Sequence, residues 1–403
     1  MAQLSVKEAH ARVLTGVEPL PAEVIAIGTA HGRVLTADLT ALRSQPAEAV
    51  SAMDGYAVRA ADVTCLPATL TVVGEAAAGQ PFLGTLGPGE TARIFTGGVL
   101  PAGADAVVLQ EHSERCGAVV LIKSSPAVGK HVRTPALDFA RGALVLRKGR
   151  RLSDRDLALA AGMNYPAVAV HRRPKLAILA TGDELVAPGS ELTRGQVVYS
   201  NGFAIAALAR REGAEVVDFG IVPDRVEPTV AAIEEIRRSG ADVLVTTGGA
   251  SVGDYDLVKR SLEIQGMDLA FWKVAMRPGR PLIHGRLGAI YVLGLPGNPV
   301  SSYVGAFLFL IPLLRKLSGR DDLIAPLESA VLGRDLAEND ERTDYLRAQL
   351  DARADGKLVA TPFDLQDSSL LVPLAKADCF VVREPYAAAA KSGTECNIIK
   401  LGL

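Results

Sequence analysis

Leu176-Ala177-Ile178-Leu179-Ala180, running into Thr181-Gly182-Asp183-Glu184, and Val243-Leu244-Val245-Thr246, running into Thr247-Gly248-Gly249-Ala250-Ser251-Val252-Gly253-Asp254-Tyr255-Asp256, decide how the middle of the chain folds. Each is a short aliphatic run that ends in glycine, the pattern of a strand buried on both faces. Val216–Ile221 and Ile290–Leu293 repeat it. Helical patterns lie between: one follows Ser200-Asn201 and stops at Gly213, and others cover Val226–Arg238, Asp256–Gln265 and Pro299–Leu317. Strands alternating with helices predict a mostly parallel sheet in a three-layer α/β/α domain over residues 174–320. Ligands of such sheets bind beyond the carboxyl ends of the strands.

On either side the texture changes. Residues 45–140 are rich in β-branched residues and glycine, with strand patterns at Leu70–Val73, Ala106–Gln110 and Val119–Lys123. They predict a β-rich domain. Residues 1–44 read as helix, turn, helix, with Ser5 placed to cap the first helix. With 141–173, which hold a strand-like Ala143–Leu146 and a helix at Ser153–Ala161, they make a small linker domain, although the first helix can instead pack on the α/β domain. Residues 321–403 return to strands at Ser329–Leu332, Asp344–Leu350, Leu358–Pro362 and Phe380–Arg383, a barrel or sandwich. The expected fold class is therefore multidomain α/β plus β.

Bulk properties narrow the function. A chain of 403 residues exceeds what one core fills, so several domains are expected. The net charge is −2 and no end carries a charge run, which argues against nucleic acid or a membrane as partner. The 4 cysteines and 6 histidines are scattered without metal-ligand spacing, which argues against a zinc site. MAQLSVKEAHARVL has charges where a signal peptide is apolar, and Val304–Leu314 is too short to span a bilayer; a cytoplasmic protein is expected.

The loops after the strands carry the chemistry. Asp183 and Glu184 can hold a hard cation or orient water, or simply form a turn and helix start. The glycines from Gly248 to Gly253 let backbone N–H groups approach an anion, with Asp254 and Asp256 at the loop mouth. Their spacing matches neither a Walker loop nor a Rossmann fingerprint. Gly294-Leu295-Pro296-Gly297-Asn298-Pro299 is a rigid loop in which Asn298 can cap a helix started by Pro299. Lys273, Arg277 and Arg280, around Met276-Arg277-Pro278-Gly279-Arg280-Pro281, suit a polyanion. Ser51-Ala52-Met53-Asp54-Gly55-Tyr56-Ala57-Val58 and the glycine-rich turn Phe95-Thr96-Gly97-Gly98 stand out in the β zone, but spacing alone gives them no mechanism.

Taken together, the strings LSVKEA, PLPAEVIAIGTAHGRVLTADLTA, SAMDGYAVRAADV, GEAAAGQP, IFTGGVLPAGADAVVLQE, LATGDELV, SNGFAIAALARREGAE, TTGGASVGDYDLVK and GLPGNPVSS, in this order along nearly the whole chain, resemble the molybdopterin molybdenumtransferase family. Its eukaryotic relative is the C-terminal domain of gephyrin. The resemblance implies insertion of molybdate into the dithiolene of adenylylated molybdopterin, release of AMP, and dependence on Mg2+. It implies a homodimer of four-domain subunits, whose cleft joins the α/β domain of one subunit to the SAMDGYAV-bearing domain of the other. A molybdopterin adenylyltransferase and downstream molybdoenzyme chaperones are further partners to expect.

By the same resemblance Asp54, Thr96, Glu184 and Asp256 are catalytic, and Glu184, Asp224 and Asp256 hold the metal. Asp138 and Asp224 match in weaker surroundings. Thr181, Gly182, Asn201, Gly248, Gly249, Ser251, Gly253, Asp254, Lys259, Lys273, Arg277, Arg280, Pro296, Gly297, Asn298, Pro299 and Ser368 fall to substrate binding. The sequence departs from the family at Val50, usually Asn; at Arg280, usually Lys; at Ala136-Leu137-Asp138, usually a glycine-aspartate pair; and at Asp367, in place of a glycine-serine turn. These departures leave open a preference for tungstate. An adenylyltransferase would need only the α/β zone, and a non-catalytic pterin-binding scaffold would not need the carboxylates.

Overall fold

A computed structural model describes residues 3–248, 257–353 and 356–402. Two compact units emerge, one of Met1–Glu23, Gly32–Val34 and His171–Leu403, the other of Val24–His31 and Leu35–Val170.

The first unit is built on a 6-stranded sheet. Its order is Glu215–Val222, Lys175–Thr181, Val243–Thr247, Ile290–Leu295, Pro281–Leu287, Asp268–Lys273. The first four strands run parallel and the last two add antiparallel to Ile290–Leu295. Side chains alternate across a strand, so one sequence feeds two cores. Leu176, Ile178, Val243, Val245, Leu293 and Leu295 pack under the helices Val6–Leu14, Asn201–Arg211 and the 299–317 helix. Ala177, Leu179, Leu244 and Val292 pack under Val226–Arg238 and Leu257–Ile264. Each fully buried aliphatic side chain contributes about 1.5–3 kcal/mol, so these two faces dominate the unit's stability.

The helix Val6–Leu14 is capped by Ser5, which exchanges hydrogen bonds with Glu8. It belongs to the α/β unit, where Val6, Ala9 and Val13 are buried. The second helix expected before residue 44 is absent among the described residues; Ala22–Ala26 is a strand and Ile27–Thr29 a single 3-10 turn. Pro19 and Pro21 lead in and Val24, Ile25 and Ile27 are β-branched, a combination that disfavours helix.

The helix from Pro299 to Leu317 is long and apolar enough to cross a membrane, but 83% of its apolar window is buried in the core. It contains Pro312, which has no N–H for the carbonyl of Leu308 four residues earlier. A π-helical stretch at Ala306–Leu310 accommodates the break, and His10 Nε2 reaches the Leu308 carbonyl at 2.7 Å. Burial holds the His10 pKa below its usual value, and burial pushes His284 down to about 4. Unfolded histidine takes up a proton near pH 6.5, whereas these folded ones resist it. Stability should therefore fall as pH drops below about 6.5, by about 1.4 kcal/mol per pH unit for each histidine while the folded form stays neutral. Urea unfolding at pH 7 and pH 5 measures this; His284→Gln should flatten the slope, and equal stability at the two pH values would refute it.

Residues after Leu317 close a barrel in the same unit. Thr343–Ala352, Leu358–Pro362, Glu328–Leu332, Glu395–Lys400 and Cys379–Arg383 pair in that order, and Cys379–Arg383 pairs back to Thr343–Ala352. Met276–Arg277 adds beside Thr343–Ala352.

The second unit carries a 6-stranded sheet in the order Ala106–Leu109, Gly55–Val58, Glu90–Ile94, Ala68–Ala76, Val119–Ile122, Ser113–Cys116. Beside it Ala30, Leu35, Leu39, Phe139, Leu146, Leu152 and Met163 form a separate core under the helix Asp154–Gly162. Ser153 and Asp156 make a capping box at the start of this helix.

Candidate active site

The four parallel strands end at Thr181, Val222, Thr247 and Leu295, on one edge of the sheet. Beyond Thr181, the N–H of Gly182 donates to the Val222 carbonyl at 3.3 Å, and a Cβ on Gly182 would meet the Glu184 carboxylate at 2.7 Å. The Glu184 side chain thus folds back over the strand end. Beyond Thr247, Gly248 has φ +86°, and a Cβ there would come within 2.1 Å of the Thr181 carbonyl oxygen. Only glycine fits this crossing. Gly297 lies beside it, its Cβ position 3.7 Å from the Gly248 Cα.

Further bonds gather the remaining parts of this edge. Asn201 Nδ2 donates to the Gly297 carbonyl at 2.7 Å. Asn298 occupies the N-cap position of the helix opened by Pro299, but it makes no side-chain cap. Its amide instead donates to Ser368 Oγ at 3.0 Å, and the Val300 N–H takes the Ser368 carbonyl at 3.0 Å. The expected cap is thereby replaced by a tie to the barrel turn. Thr181, Gly182, Asn201, Gly248, Gly297, Asn298, Pro299 and Ser368, distant in sequence, converge through these contacts. Pro296 is the buried spacer between Leu295 and Gly297.

Carboxylates cluster on the same edge. Asp183 accepts the N–H of Asp224 at 3.1 Å. Burial pushes the Asp224 pKa up, and the charges of Glu184 and Asp183 add to the rise. Among the described residues no three acidic or sulfur and imidazole side chains form a ready metal cage. Asp256, with Gly249, Ser251, Gly253 and Asp254, lies outside the described residues. Mutually repelling carboxylates with an incomplete shell fit a hard cation that also takes phosphate oxygens, as Mg2+ does.

The expected cations divide. Lys273 lies 4.0 Å and Lys259 5.0 Å from the Trp272 ring centroid, and Lys259 also pairs with Glu263 at 3.6 Å. Arg280 is exposed. Arg277 does not stand free for an anion: its Nε donates to the buried Asp344 at 2.8 Å, and Asp340 and Asn339 take its other nitrogens. It ties the Met276–Arg277 strand to the barrel.

The sequence reading passed over Arg347. It is 1% exposed, and among the described residues no salt bridge pairs it with a carboxylate. Its guanidinium donates to Gln366 Oε1 at 3.2 Å and to the Leu370 carbonyl at 3.2 Å, locking the turn that carries Ser368. A charged residue inside the apolar strand run Tyr345-Leu346-Arg347-Ala348 was the available signal. Asp367 accepts the Ser369 N–H at 2.8 Å and its hydroxyl, which holds its carboxyl below the usual range.

In the second unit, Asp54 and Thr96 meet across 42 residues. Asp54 Oδ1 accepts the Thr96 N–H at 2.7 Å and the Thr96 hydroxyl at 2.8 Å. These bonds hold the Asp54 carboxyl below its usual range, ionised at neutral pH. The Ser51 N–H bonds the Gly98 carbonyl and the Gly97 N–H bonds the Ser51 carbonyl, each at 2.9 Å, so the two unexplained turns form one structure. Val50 pairs with Arg133 and bridges Val99 on the flank of this turn. Asp138 is exposed, and its backbone N–H donates to the Gln45 carbonyl at 2.9 Å.

Glycine turns, helix starts and carboxylates on the carboxyl edge of a mostly parallel sheet define an α/β enzyme site built for a phosphate-bearing ligand. Three family models match the chain: the MoeA N-terminal region (domain I and II) over residues 4–163, a probable molybdopterin binding domain over 177–316, and the MoeA C-terminal region (domain IV) over 329–401. The molybdopterin molybdenumtransferase of Nostoc sp. is 41% identical over 307 residues, 74% of this chain and 70% of that protein. That of Haemophilus influenzae is 32% identical over 398 residues, 98% of each. The crystal structure of a molybdopterin biosynthesis MoeA protein from Pyrococcus horikosii superposes with a TM-score of 0.84 at 30% identity, covering 99% of both chains. The chain belongs to the molybdopterin molybdenumtransferase family.

Proposed function

We propose that this chain inserts molybdate into the dithiolene of adenylylated molybdopterin and releases AMP, completing the molybdenum cofactor in the cytoplasm. The observation that carries the reading is the convergence of Thr181, Gly248, Asn201, Gly297, Asn298 and Ser368 on one sheet edge beside Glu184 and Asp224. Bare backbone at Gly248 and the helix start at Pro299 receive phosphate oxygens. Lys259, Lys273 and Arg280 offset the charge of substrate and molybdate. Glu184 and Asp224, with Asp256, hold Mg2+, which when bound withdraws charge from the pyrophosphate linkage. Asp54, ionised and aimed by Thr96, orients the water or molybdate oxygen that attacks phosphorus of the pyrophosphate linkage, or takes its proton, as the P–O bond breaks and AMP leaves.

Asp54 and the carboxyl edge sit in separate compact units. A homodimer in which the second subunit supplies Asp54 completes the cleft, and this arrangement is part of the proposal.

The assay is AMP release from adenylylated molybdopterin, with molybdate omitted and then restored. Release should require both molybdate and Mg2+. Release that ignores molybdate, or ATP-dependent adenylylation of free molybdopterin, would point to a different enzyme. Chelation by EDTA should stop release. Asp224→Asn should raise the Mg2+ concentration for half-maximal release by about 10–100-fold, the scale of a lost metal-shell partner; an unchanged Mg2+ requirement would remove Asp224 from the metal shell.

A further inference from the structure

Arg93 lies outside the quoted strings, yet it touches residues on both sides of the Asp54–Thr96 pair: Gly55, Tyr56, Phe95 and Gln110. It lies on the strand Glu90–Ile94 and is half-buried. Its Nη1 donates to the Gly55 carbonyl at 3.1 Å and its Nη2 to Gln110 Oε1 at 2.7 Å. The backbone N–H of Gln110 in turn donates to the Asp54 carbonyl at 3.1 Å. The guanidinium carbon lies 5.2 Å from the Tyr56 ring centroid and 4.8 Å from that of Phe95. Gly55 and Tyr56 directly follow Asp54, and Phe95 directly precedes Thr96.

We propose that Arg93 is a positioning residue for the reaction: its planar fork and its stacking fix the Asp54 and Thr96 backbones against each other. The inference rests on the reading of Asp54 as catalytic. Sheet cohesion does not explain these contacts. The backbones of the two strands are already paired through Gly55↔Ile94, Tyr56↔Arg93 and Ala57↔Ala92. A guanidinium suits the place because it can donate in one plane to two acceptors while lying over aromatic faces. Its charge also reinforces the ionised state of Asp54, after the larger effect of the Thr96 bonds.

Arg93→Met and Arg93→Lys test this in the full-length protein. Methionine keeps an unbranched apolar stem but removes the charge and both donors. AMP release should fall by about 10–100-fold in kcat, as misplacement of a reacting group does, with KM for adenylylated molybdopterin within about twofold. The acid limb of the kcat profile should move to higher pH. Lysine should return the acid limb to its original position while recovering only part of the rate, since it keeps charge without the fork. A folded Arg93→Met enzyme with unchanged kcat and acid limb would overturn the inference. So would a loss that tracks only the fraction unfolded, with the pH profile unmoved. Asp54→Asn is assayed alongside: full activity there would overturn the underlying reading of Asp54, whereas an inactive Asp54→Asn with an unaffected Arg93→Met overturns the Arg93 inference alone.

Discussion

Asp54→Asn is expected to slow AMP release by about 10²–10⁴-fold, the scale of a lost acid–base group, while the protein stays folded. Asparagine keeps an oxygen that can accept both Thr96 bonds, now 2.7 and 2.8 Å long, so the turn has no reason to move. What it loses is the negative charge that those two donors hold in place at neutral pH. The comparison therefore separates charge from geometry. Single-turnover AMP release from adenylylated molybdopterin, with circular dichroism as a control for folding, measures it. An asparagine variant that releases AMP at the unmutated rate would remove Asp54 from the chemistry.

The largest stability effect should come from Glu212, which ends the helix of the SNGFAIAALARREGAE string and takes no part in the candidate site. Glu212 follows the helix Asn201–Arg211 and is 7% exposed. Arg315 Nε reaches it at 2.8 Å and Arg320 Nη1 at 2.6 Å, and Arg320 is itself 6% exposed. Burial works against the charge, but the bonds to Arg315 and the charges of Arg315 and Arg320 outweigh it and keep the carboxyl ionised. Glu212→Ala would take from Arg315 its carboxylate partner and leave Arg320 with Asp322 alone, whose carboxylate accepts from the Arg320 Nε at 2.8 Å; the cost should be about 3 kcal/mol, the lower end for a broken buried pair. Replacing the group with an apolar residue cannot compensate, because both arginines remain. Urea unfolding checks this; a change below about 1 kcal/mol would mean that water reaches these arginines freely.

The parallel strands were legible because Leu176–Ala180 and Val243–Thr246 are apolar on both faces, a pattern that only a covered sheet satisfies. Asp268–Lys273 and Pro281–Leu287 were not. The first mixes charged ends with Trp272, and the second is interrupted by His284, Gly285 and Arg286. Their strand state comes from antiparallel addition to Ile290–Leu295, a tertiary fact. Glu395–Lys400 was missed for the same reason, as its apolar Ile398 and Ile399 are too few to stand out before the barrel closes. Resemblance named Asp54 and Thr96, but no local rule pairs residues 42 apart. Nor could the run of Lys273, Arg277 and Arg280 disclose that Asp344, 67 residues on, claims Arg277.

The central proposal is that one cleft takes its aspartate from one subunit and its glutamate from the other. Heterodimers of an Asp54→Ala chain with an Glu184→Ala chain, carrying different affinity tags and purified through both, measure this directly. One of the two clefts would then hold both native residues and the other neither, so AMP release should reach about half the unmutated rate although each parent homodimer is inactive. Heterodimers as inactive as their parents would mean that both residues serve a cleft within one chain, and the shared cleft would be wrong.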